Sequence, residues 1–204
     1  MNPRTTLSAL TVGALLLLTA CTSGAVEPPG LTGSPSPTAT PSATPTPEPT
    51  PTDGIQVHDD PELGIVFEDV PDLTGAEAEV YNWIATYQKA YWQTLRTNEV
   101  AGTFAAFTSA EIQDTMARIA SNNTASNARI AGTFRTRISE IVVDGDAASG
   151  IKCDDLSQAT FTNDEGTYTA KDVGKDVAQL NKLELVRLEN GTWYVTRLTG
   201  VGTC

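Results

Sequence analysis

The sequence predicts an α+β domain in which N-terminal helices pack on an antiparallel sheet, placed after a signal peptide and a disordered Pro/Thr-rich tether. Three observations carry this prediction: an apolar run at the N-terminus, a block of prolines that ends well before the middle of the chain, and a hydrophobic period that changes from helical to alternating after residue 127. Helices followed by hairpin-connected strands are typical of the α+β class.

Residues 1–20 have the parts of a secretion signal. The amino terminus and Arg4 supply positive charge, and the run from Thr5 to Ala20 is uncharged and dense in Leu, Ala and Val. The run ends in Leu18-Thr19-Ala20-Cys21, which resembles the lipobox of bacterial lipoprotein precursors. The resemblance implies cleavage before Cys21, lipidation of its sulfur and anchoring to membrane lipid on the outer face of the cell membrane, with a second acyl chain making the anchor stable. An uncleaved anchor helix and ordinary signal cleavage are the alternatives.

A tether follows the signal. Nine of the 12 prolines fall between Pro28 and Pro51, interleaved with Thr, Ser and Ala, and none follows Pro71. Such a segment favours extended polyproline II and reaches roughly 75 Å at about 3.1 Å per residue. We therefore predict a lipoprotein signal peptide over residues 1–20, a lipidated cysteine and tether over 21–72, and a globular domain over 73–204.

The boundary between tether and domain holds short apolar runs such as Gly64-Ile65-Val66-Phe67 among acidic residues. Two interpretations stay open: this stretch packs on the domain as an extended edge, or it remains loose. Because the proline-rich segment has too little apolar content to join a core, we expect a fragment that begins near Asp72 to fold alone.

Two helices with a short helical turn between them are predicted at the start of the domain. Thr74-Gly-Ala-Glu77 has the pattern of a capping box. The helix after it carries one apolar stripe, formed by Val80, Ile84, Tyr87, Tyr91 and Leu95 and widened by Trp83 and Trp92. A helical turn is predicted around Phe104 and Phe107. Thr108-Ser-Ala-Glu111 predicts a second long helix, which stops in the Ser- and Asn-rich residues 121–127.

Strands are predicted after residue 127, where the apolar period becomes two. Asp144-Gly145 predicts a tight hairpin turn, and residues 163–166 predict a second turn. Asn190-Gly191 predicts a third turn ahead of a closing strand that contains Trp193. The strands therefore form an antiparallel meander that ends at the C-terminus.

This order of elements, with the closing phrase Asn190-Gly191-Thr192-Trp193-Tyr194-Val195, resembles the nuclear transport factor 2-like superfamily, also called ketosteroid isomerase-like or SnoaL-like. The resemblance covers roughly residues 73–200 and implies a sheet curled around the first helix into a cone with a cavity. Another small α+β lipoprotein domain is the alternative. The lipobox, tether and acidic domain also resemble secreted lipoproteins of high-GC Gram-positive, actinobacterial-type bacteria.

Catalytic, metal and nucleic-acid roles are not favoured. Superfamily enzymes place an acid–base group inside the cone, and no residue here matches that pattern. His58 is expected in a solvated tether, and Asp154 and Asp155, the strongest candidates for a general base, are expected as turn residues. We therefore expect no catalytic residue, no metal and no cofactor, since no metal-ligand spacing is present. The formal net charge of −12 disfavours nucleic acid, whose phosphates require a basic surface.

Two features of the predicted domain remain for function and stability. Trp83, Tyr87 and Tyr91 are candidates for lining a pocket, because tyrosine offers a flat apolar face with a polar tip, and the alternative is that they form core. Cys153 and Cys204 are the other two of three cysteines, and an even pair in an exported chain predicts one disulfide.

We therefore expect a non-enzymatic lipoprotein whose domain binds an unknown small ligand or protein partner. The alternative is a SnoaL-like or isomerase-like enzyme that acts on a small apolar molecule. A cavity lined with a paired acid and base favours the enzyme, and a cone filled by its own side chains favours an interaction module.

Overall fold

The structure is a computed structural model that describes residues 54–204. The predicted signal peptide, the lipidation site Cys21 and the tether up to residue 53 lie outside the described residues. Within the described residues, none of the helices is both long enough and apolar enough to cross a membrane.

Helices and strands follow in the predicted order, with one additional strand at the start. They are β1 (Ile65–Phe67), α1 (Gly75–Thr97), α2 (Phe104–Phe107), α3 (Ala110–Ala125), β2 (Arg129–Gly132), β3 (Phe134–Asp144), β4 (Ala147–Asp155), β5 (Ala159–Asn163), β6 (Gly166–Thr169), β7 (Gln179–Arg187) and β8 (Trp193–Thr203). The domain is α+β, with helices on a curved and mainly antiparallel sheet.

The main sheet has five strands in the order β1-β3-β4-β7-β8, and β2, β5 and β6 form a second sheet of three. The strands that follow residue 127 pair antiparallel, whereas β1 pairs parallel with β3. Ile65 and Phe67 of β1 are buried at 0% and 6% exposure. The predicted domain boundary at residue 73 is therefore too late, because the stretch before it contributes a strand and core side chains.

The curvature of the sheet has a local cause in β3. Its pairing with β4 slips between Ser139 and Val142, and Glu140 within this irregularity has a φ of 50°. A β-bulge of this kind bends its strand and increases the local twist. The bend divides the long strand β3 in two and curves the sheet.

Helix α1 packs against β3 and β4 with the predicted stripe facing inward. Val80, Ile84 and Tyr87 are at most 1% exposed. Close approach to β4 depends on Gly150, where an added Cβ would lie 2.6 Å from Ile84 Cδ1. The glycine thus brings the helix onto one half of the strand.

Neither predicted capping box forms as expected. Thr74 is the N-cap of α1 and Ser109 is that of α3, and neither makes a side-chain capping hydrogen bond. Thr108, the predicted cap of α3, instead donates from Oγ1 to the Phe104 carbonyl at 2.7 Å. Packing of the apolar faces therefore outweighs capping in setting these helix starts.

A disulfide joins Cys153 on β4 to Cys204 at the end of the chain. The two residues are 51 positions apart, and their Cα atoms are 6.1 Å apart. Because β7 lies between β4 and β8 in the sheet, the bond links β4 to the end of β8 across the intervening strand β7.

Candidate functional site

The candidate site lies between α1 and the second half of β4, and its helix side comes from one turn of α1. Tyr87 and Gln88 are buried at 1% and 0% exposure, and Tyr91 follows one turn later and is half-buried. Gln88 is four residues after Ile84 and four before Trp92, both of which are core residues, and residues four apart share a helix face. An amide thus lies in the middle of the apolar face.

The strand side of the site is charged. Buried and partly exposed residues alternate along β4, so Gly150, Lys152 and Asp154 share the inner face. Lys152 is 2% exposed and Asp154 is 8% exposed. Helix α1 is closest to β4 at Gly150. After this glycine, the inner face of β4 carries the ion pair of Lys152 and Asp154 in place of small residues.

Asp154 is the centre of a buried hydrogen-bond network. Its Oδ2 pairs with the Lys152 ammonium and accepts from Asn181 Nδ2 at 3.4 Å. Its Oδ1 accepts from Gln88 Nε2 and from Thr136 Oγ1, the latter at 3.3 Å. Gln88 Nε2 also donates to Thr136 Oγ1 at 2.7 Å. Both carboxylate oxygens are thus supplied with donors from one helix and three strands.

The two tyrosines border the ammonium end of this network. Lys152 Nζ lies 5.8 Å from the centroid of the Tyr87 ring and 5.2 Å from that of Tyr91. Burial raises the pKa of both tyrosine hydroxyls, and the charge of Asp154 raises it further. Both hydroxyls therefore remain protonated at physiological pH, and each can donate a hydrogen bond.

Two cavities open beside the network. One of about 190 Å³ is bordered by Lys152, Asp154 and Asn181, together with Tyr91 and Leu198. The other, of about 250 Å³, lies toward α3 and is also lined by Tyr91 and Leu198. These two side chains therefore lie where the cavities meet, and the domain is not completely filled by its own side chains.

The structure brings together two of the three predicted pocket residues. Tyr87 and Tyr91 line the cavity toward α3. Trp83 does not join them, because its half-buried ring packs 6.0 Å from the ring of Phe107. Trp83 comes about one helical turn before Tyr87 and about two turns before Tyr91. Its side chain is therefore too far along the helix to reach this cavity.

The two aspartates that follow Cys153 have different roles. Asp155 is a turn residue as expected, since its Oδ1 accepts from the Ser157 amide at 2.7 Å. The prediction was wrong for Asp154, which lies within β4 and inside the domain. The strand continues two residues beyond the cysteine because residues 154 and 155 pair with Thr136 and Arg135 of β3.

The prediction of a solvated His58 was also wrong. Its ring is half-buried, and Nε2 lies 2.8 Å from Asn82 Oδ1 on α1. The rings of Phe67 and Tyr81 lie 5.6 Å and 6.3 Å from it. The histidine packs on the domain because β1 holds this part of the chain against the sheet.

Four side chains of the candidate site were not predicted from the sequence: Gln88, Thr136, Lys152 and Asn181. A signal existed for two of them. Gln88 is a polar residue within the apolar stripe of α1. Lys152 lies an even number of residues after Ala148 and Gly150, so the alternation of a strand places its charged side chain on the same inner face as these two small residues. Thr136 and Asn181 had no such signal, because they meet Asp154 only through the pairing of distant strands.

Comparisons with known proteins add little to this geometry. No protein-family model and no curated protein matches the sequence. A solved structure similar to this chain is a protein named "putative ketosteroid isomerase" from Shewanella frigidimarina, with 14% identity, 60% of this chain and 84% of that chain covered, and a TM-score of 0.23. A TM-score this low does not establish a shared fold, and no activity is transferred from that protein to this chain.

Metal binding finds no support in the part of the chain that the structure describes. Residues 54–204 contain no group of three or more His, Cys, Asp or Glu side chains that could hold a metal ion. The polar side chains that the structure places at the site are an ion pair, two amides, a hydroxyl and two phenols.

Proposed function

We propose that this chain is a lipoprotein, anchored through Cys21 on the outer face of the cell membrane, whose domain binds a small ligand beside the Lys152–Asp154 pair. The lipobox at residues 18–21 and the proline-rich tether support the anchor. A nuclear transport factor 2-like domain is supported by three helices followed by a bent sheet with a cavity near α1. The anchor localises the domain, and the cavity provides its binding function.

The observation that carries the binding function is a buried ion pair that borders a cavity. A buried pair adds little net stability compared with apolar side chains of similar volume, because both charges lose hydration. Packing alone therefore does not account for Lys152 and Asp154 on an inner face. Ligand recognition accounts for them, since pockets combine apolar walls with a few placed polar groups.

The cavity walls indicate the chemistry of the ligand. Lys152 and Asn181 provide donors at one end, and Tyr91 and Leu198 provide flat and apolar surfaces. Each cavity is smaller than the roughly 300 Å³ of a typical ligand pocket. We therefore infer a small ligand with an apolar body and one hydrogen-bonding group, which fills both cavities only if Tyr91 or Leu198 moves.

A fragment screen on the full chain tests this proposal. Aromatic and alicyclic compounds that carry one carbonyl or carboxylate are expected to shift the amide resonances of Tyr91, Lys152 and Asn181 in two-dimensional NMR. Tyr91→Ala is expected to weaken binding. Thr160→Ala, at an exposed position on the second sheet, is the matched control. Shifts confined to other surfaces, or equal binding by both variants, would contradict the proposal.

An isomerase-like enzyme is the second candidate, and one observation favours it. Asp154 and Lys152 are a paired acid and base at a cavity wall, and such a pair is the arrangement expected of an enzyme of this kind. Against it, both oxygens of Asp154 already accept from Lys152, Gln88, Thr136 and Asn181. These four donors occupy the acceptor positions of both carboxylate oxygens, so no lone pair is left free to take a proton from a substrate.

The two functions predict different results for one substitution. If Asp154 abstracts a proton, wild-type protein converts an unconjugated ketosteroid to its conjugated isomer, and Asp154→Asn abolishes the conversion. If the site only binds, neither protein changes the ultraviolet absorbance of the steroid, and the NMR titration alone reports an interaction. Turnover by the wild type that disappears in Asp154→Asn would replace binding with catalysis as the function.

A further inference from the structure

A separate cavity of about 600 Å³ lies between α1 and the segment that leads into it. We call residues 54–74 the strap. The cavity is lined mainly by strap residues and by Tyr81 of α1, and the residues used below are His58, Asp59, Phe67, Asp72 and Tyr81. None of these residues belongs to the Lys152–Asp154 network.

Asn82 holds the strap to α1 and determines the protonation pattern of His58. Asn82 Oδ1 accepts from the Gln56 amide at 2.9 Å, and its Nδ2 donates to the Gly54 carbonyl at 3.2 Å. With the amide oriented in this way, Oδ1 is an acceptor, so His58 Nε2 must carry the proton that it donates to it at 2.8 Å. Burial lowers the pKa of His58, and the neutral ring then presents Nδ1 as an acceptor.

Tyr81 supplies the second polar group of the cavity. Its side chain is 1% exposed, and its hydroxyl is buried without a hydrogen-bond partner in the described chain. Burial, with a contribution from the nearby charge of Asp59, raises the pKa of this hydroxyl to about 12. An unpartnered buried hydroxyl costs stability, so a ligand group that bonds to it recovers that cost.

The charge and the rings of the cavity select one class of ligand. No lysine or arginine lines it, whereas Asp59 and Asp72 do. Asp59 uses Oδ1 to accept from the Phe67 amide at 2.7 Å, and its negative charge acts on the Tyr81 hydroxyl and on the His58 ring. The rings of Phe67 and Tyr81 both lie near the ring of His58. Aromatic faces and a carboxylate together attract organic cations.

We propose that the strap cavity binds a small primary ammonium compound with an apolar body. The ammonium N–H groups donate to the carboxylate of Asp59, to Nδ1 of His58 and to the oxygen of Tyr81, and the apolar body lies against Phe67. An anion fits poorly, because the cavity provides negative charge and acceptors.

Calorimetric titration of the full chain with phenethylammonium tests the inference, and phenethyl alcohol is the uncharged control of the same shape. The amine is expected to bind at least about tenfold more tightly than the alcohol, as one charged hydrogen bond requires. Asp59→Asn is expected to remove most of this difference. It keeps Oδ1 as the acceptor for the Phe67 amide and therefore preserves the strap.

Tyr81→Phe and a distant variant complete the test. Tyr81→Phe removes only the unpartnered hydroxyl, so we expect weaker amine binding with unchanged or higher thermal stability. Glu165→Gln, at an exposed position in the turn between β5 and β6, is the matched charge control and is expected to leave amine binding unchanged. Equal affinity for amine and alcohol, no loss with Asp59→Asn, or no binding of the amine would overturn the inference. None of these outcomes bears on ligand binding at Lys152–Asp154.

Discussion

Lys152 Nζ lies 5.2 Å from the centroid of the Tyr91 ring while the same ammonium is paired with Asp154. The charge is thus compensated twice, by a carboxylate and by the negative face of a ring. Both interactions depend on a strand residue meeting a helix residue inside the domain. Loss of Asp154 therefore leaves the buried ammonium without a countercharge.

Breaking this pair is expected to cost more stability than removing it. Lys152→Met alone leaves Asp154 buried without its countercharge, and we expect the free energy of unfolding to fall by about 3 to 5 kcal/mol. The double variant Lys152→Met, Asp154→Leu is expected to lose less than the single variant, since no unpaired charge remains. Urea denaturation followed by circular dichroism measures both changes.

An exposed ion pair on the same sheet provides the control. Lys182 lies 3.9 Å from Glu184, and their side chains are 43% and 45% exposed. Lys182→Met is expected to change stability by about 1 kcal/mol or less. A similar loss for Lys152→Met would mean that the buried pair contributes no more than a surface pair.

Much of the local structure could be predicted from the sequence because its signals are local. Asp144-Gly145 and Asn190-Gly191 lie at turns between paired strands, as their conformational preferences require. The stripe of α1 is buried because its period matches the helix. In each case, the structure is determined by residues that are close to each other along the chain.

The parts that could not be predicted depend on contacts between distant segments. Ile65 and Phe67 enter the core only because β1 pairs with β3, which is about 70 residues away along the chain. Asp154 follows a cysteine and resembles a turn residue until Thr136 and Asn181 are placed beside it. The candidate site arises from this pairing, so no local pattern identifies it.

The strap residues of β1 are expected to be necessary for folding. Ile65 and Phe67 are buried, and each such side chain contributes about 1.5 to 3 kcal/mol, a large share of the 5 to 15 kcal/mol typical of a domain. A fragment of residues 73–204 is therefore expected to be largely unfolded, and one of residues 54–204 to unfold cooperatively in urea. Cooperative unfolding of the shorter fragment at the same urea concentration would show that β1 is dispensable.

The stability of the domain is expected to decrease in mild acid through His58. Burial lowers the pKa of His58 in the folded state below its usual 6.5, so the unfolded state binds the proton more readily. The stabilisation is complete above about pH 6.5 and is lost as the pH falls toward the folded-state value. We expect the urea midpoint to fall over this range.

His58→Gln keeps a donor for Asn82 and removes the titrating group, so its midpoint is expected to change less over the same range. Asp60 also loses stabilisation in acid, because hydrogen bonding lowers its pKa, but only below its usual value of 3.8. The two effects therefore occupy separate pH windows. An identical decrease in the variant between neutral pH and pH 5 would exclude His58 as its source.

Lipidation at Cys21 predicts how the chain partitions between water and detergent. Cys21→Ala removes the sulfur that would carry the lipid, so the variant is expected to remain unprocessed or to appear as a non-lipidated product in the aqueous phase. Detergent-phase partitioning with wild-type protein as the reference measures the difference. Equal recovery of both proteins in the detergent phase would show that Cys21 is not the anchor.

The disulfide between Cys153 and Cys204 is expected to stabilise the end of β8. The cysteines are 51 residues apart, and closing a loop of that length removes denatured-state entropy worth about 4 kcal/mol. The bond also fixes the residue that directly follows β8, a strand whose final seven residues are exposed and whose end would otherwise fray. We expect Cys153→Ala, Cys204→Ala to lower the free energy of unfolding by about 2 to 4 kcal/mol and to increase amide exchange most in residues 197–203. Non-reducing mass spectrometry of exported protein should recover the peptide that links residues 153 and 204, and recovery of both thiols in alkylated form would contradict the bond.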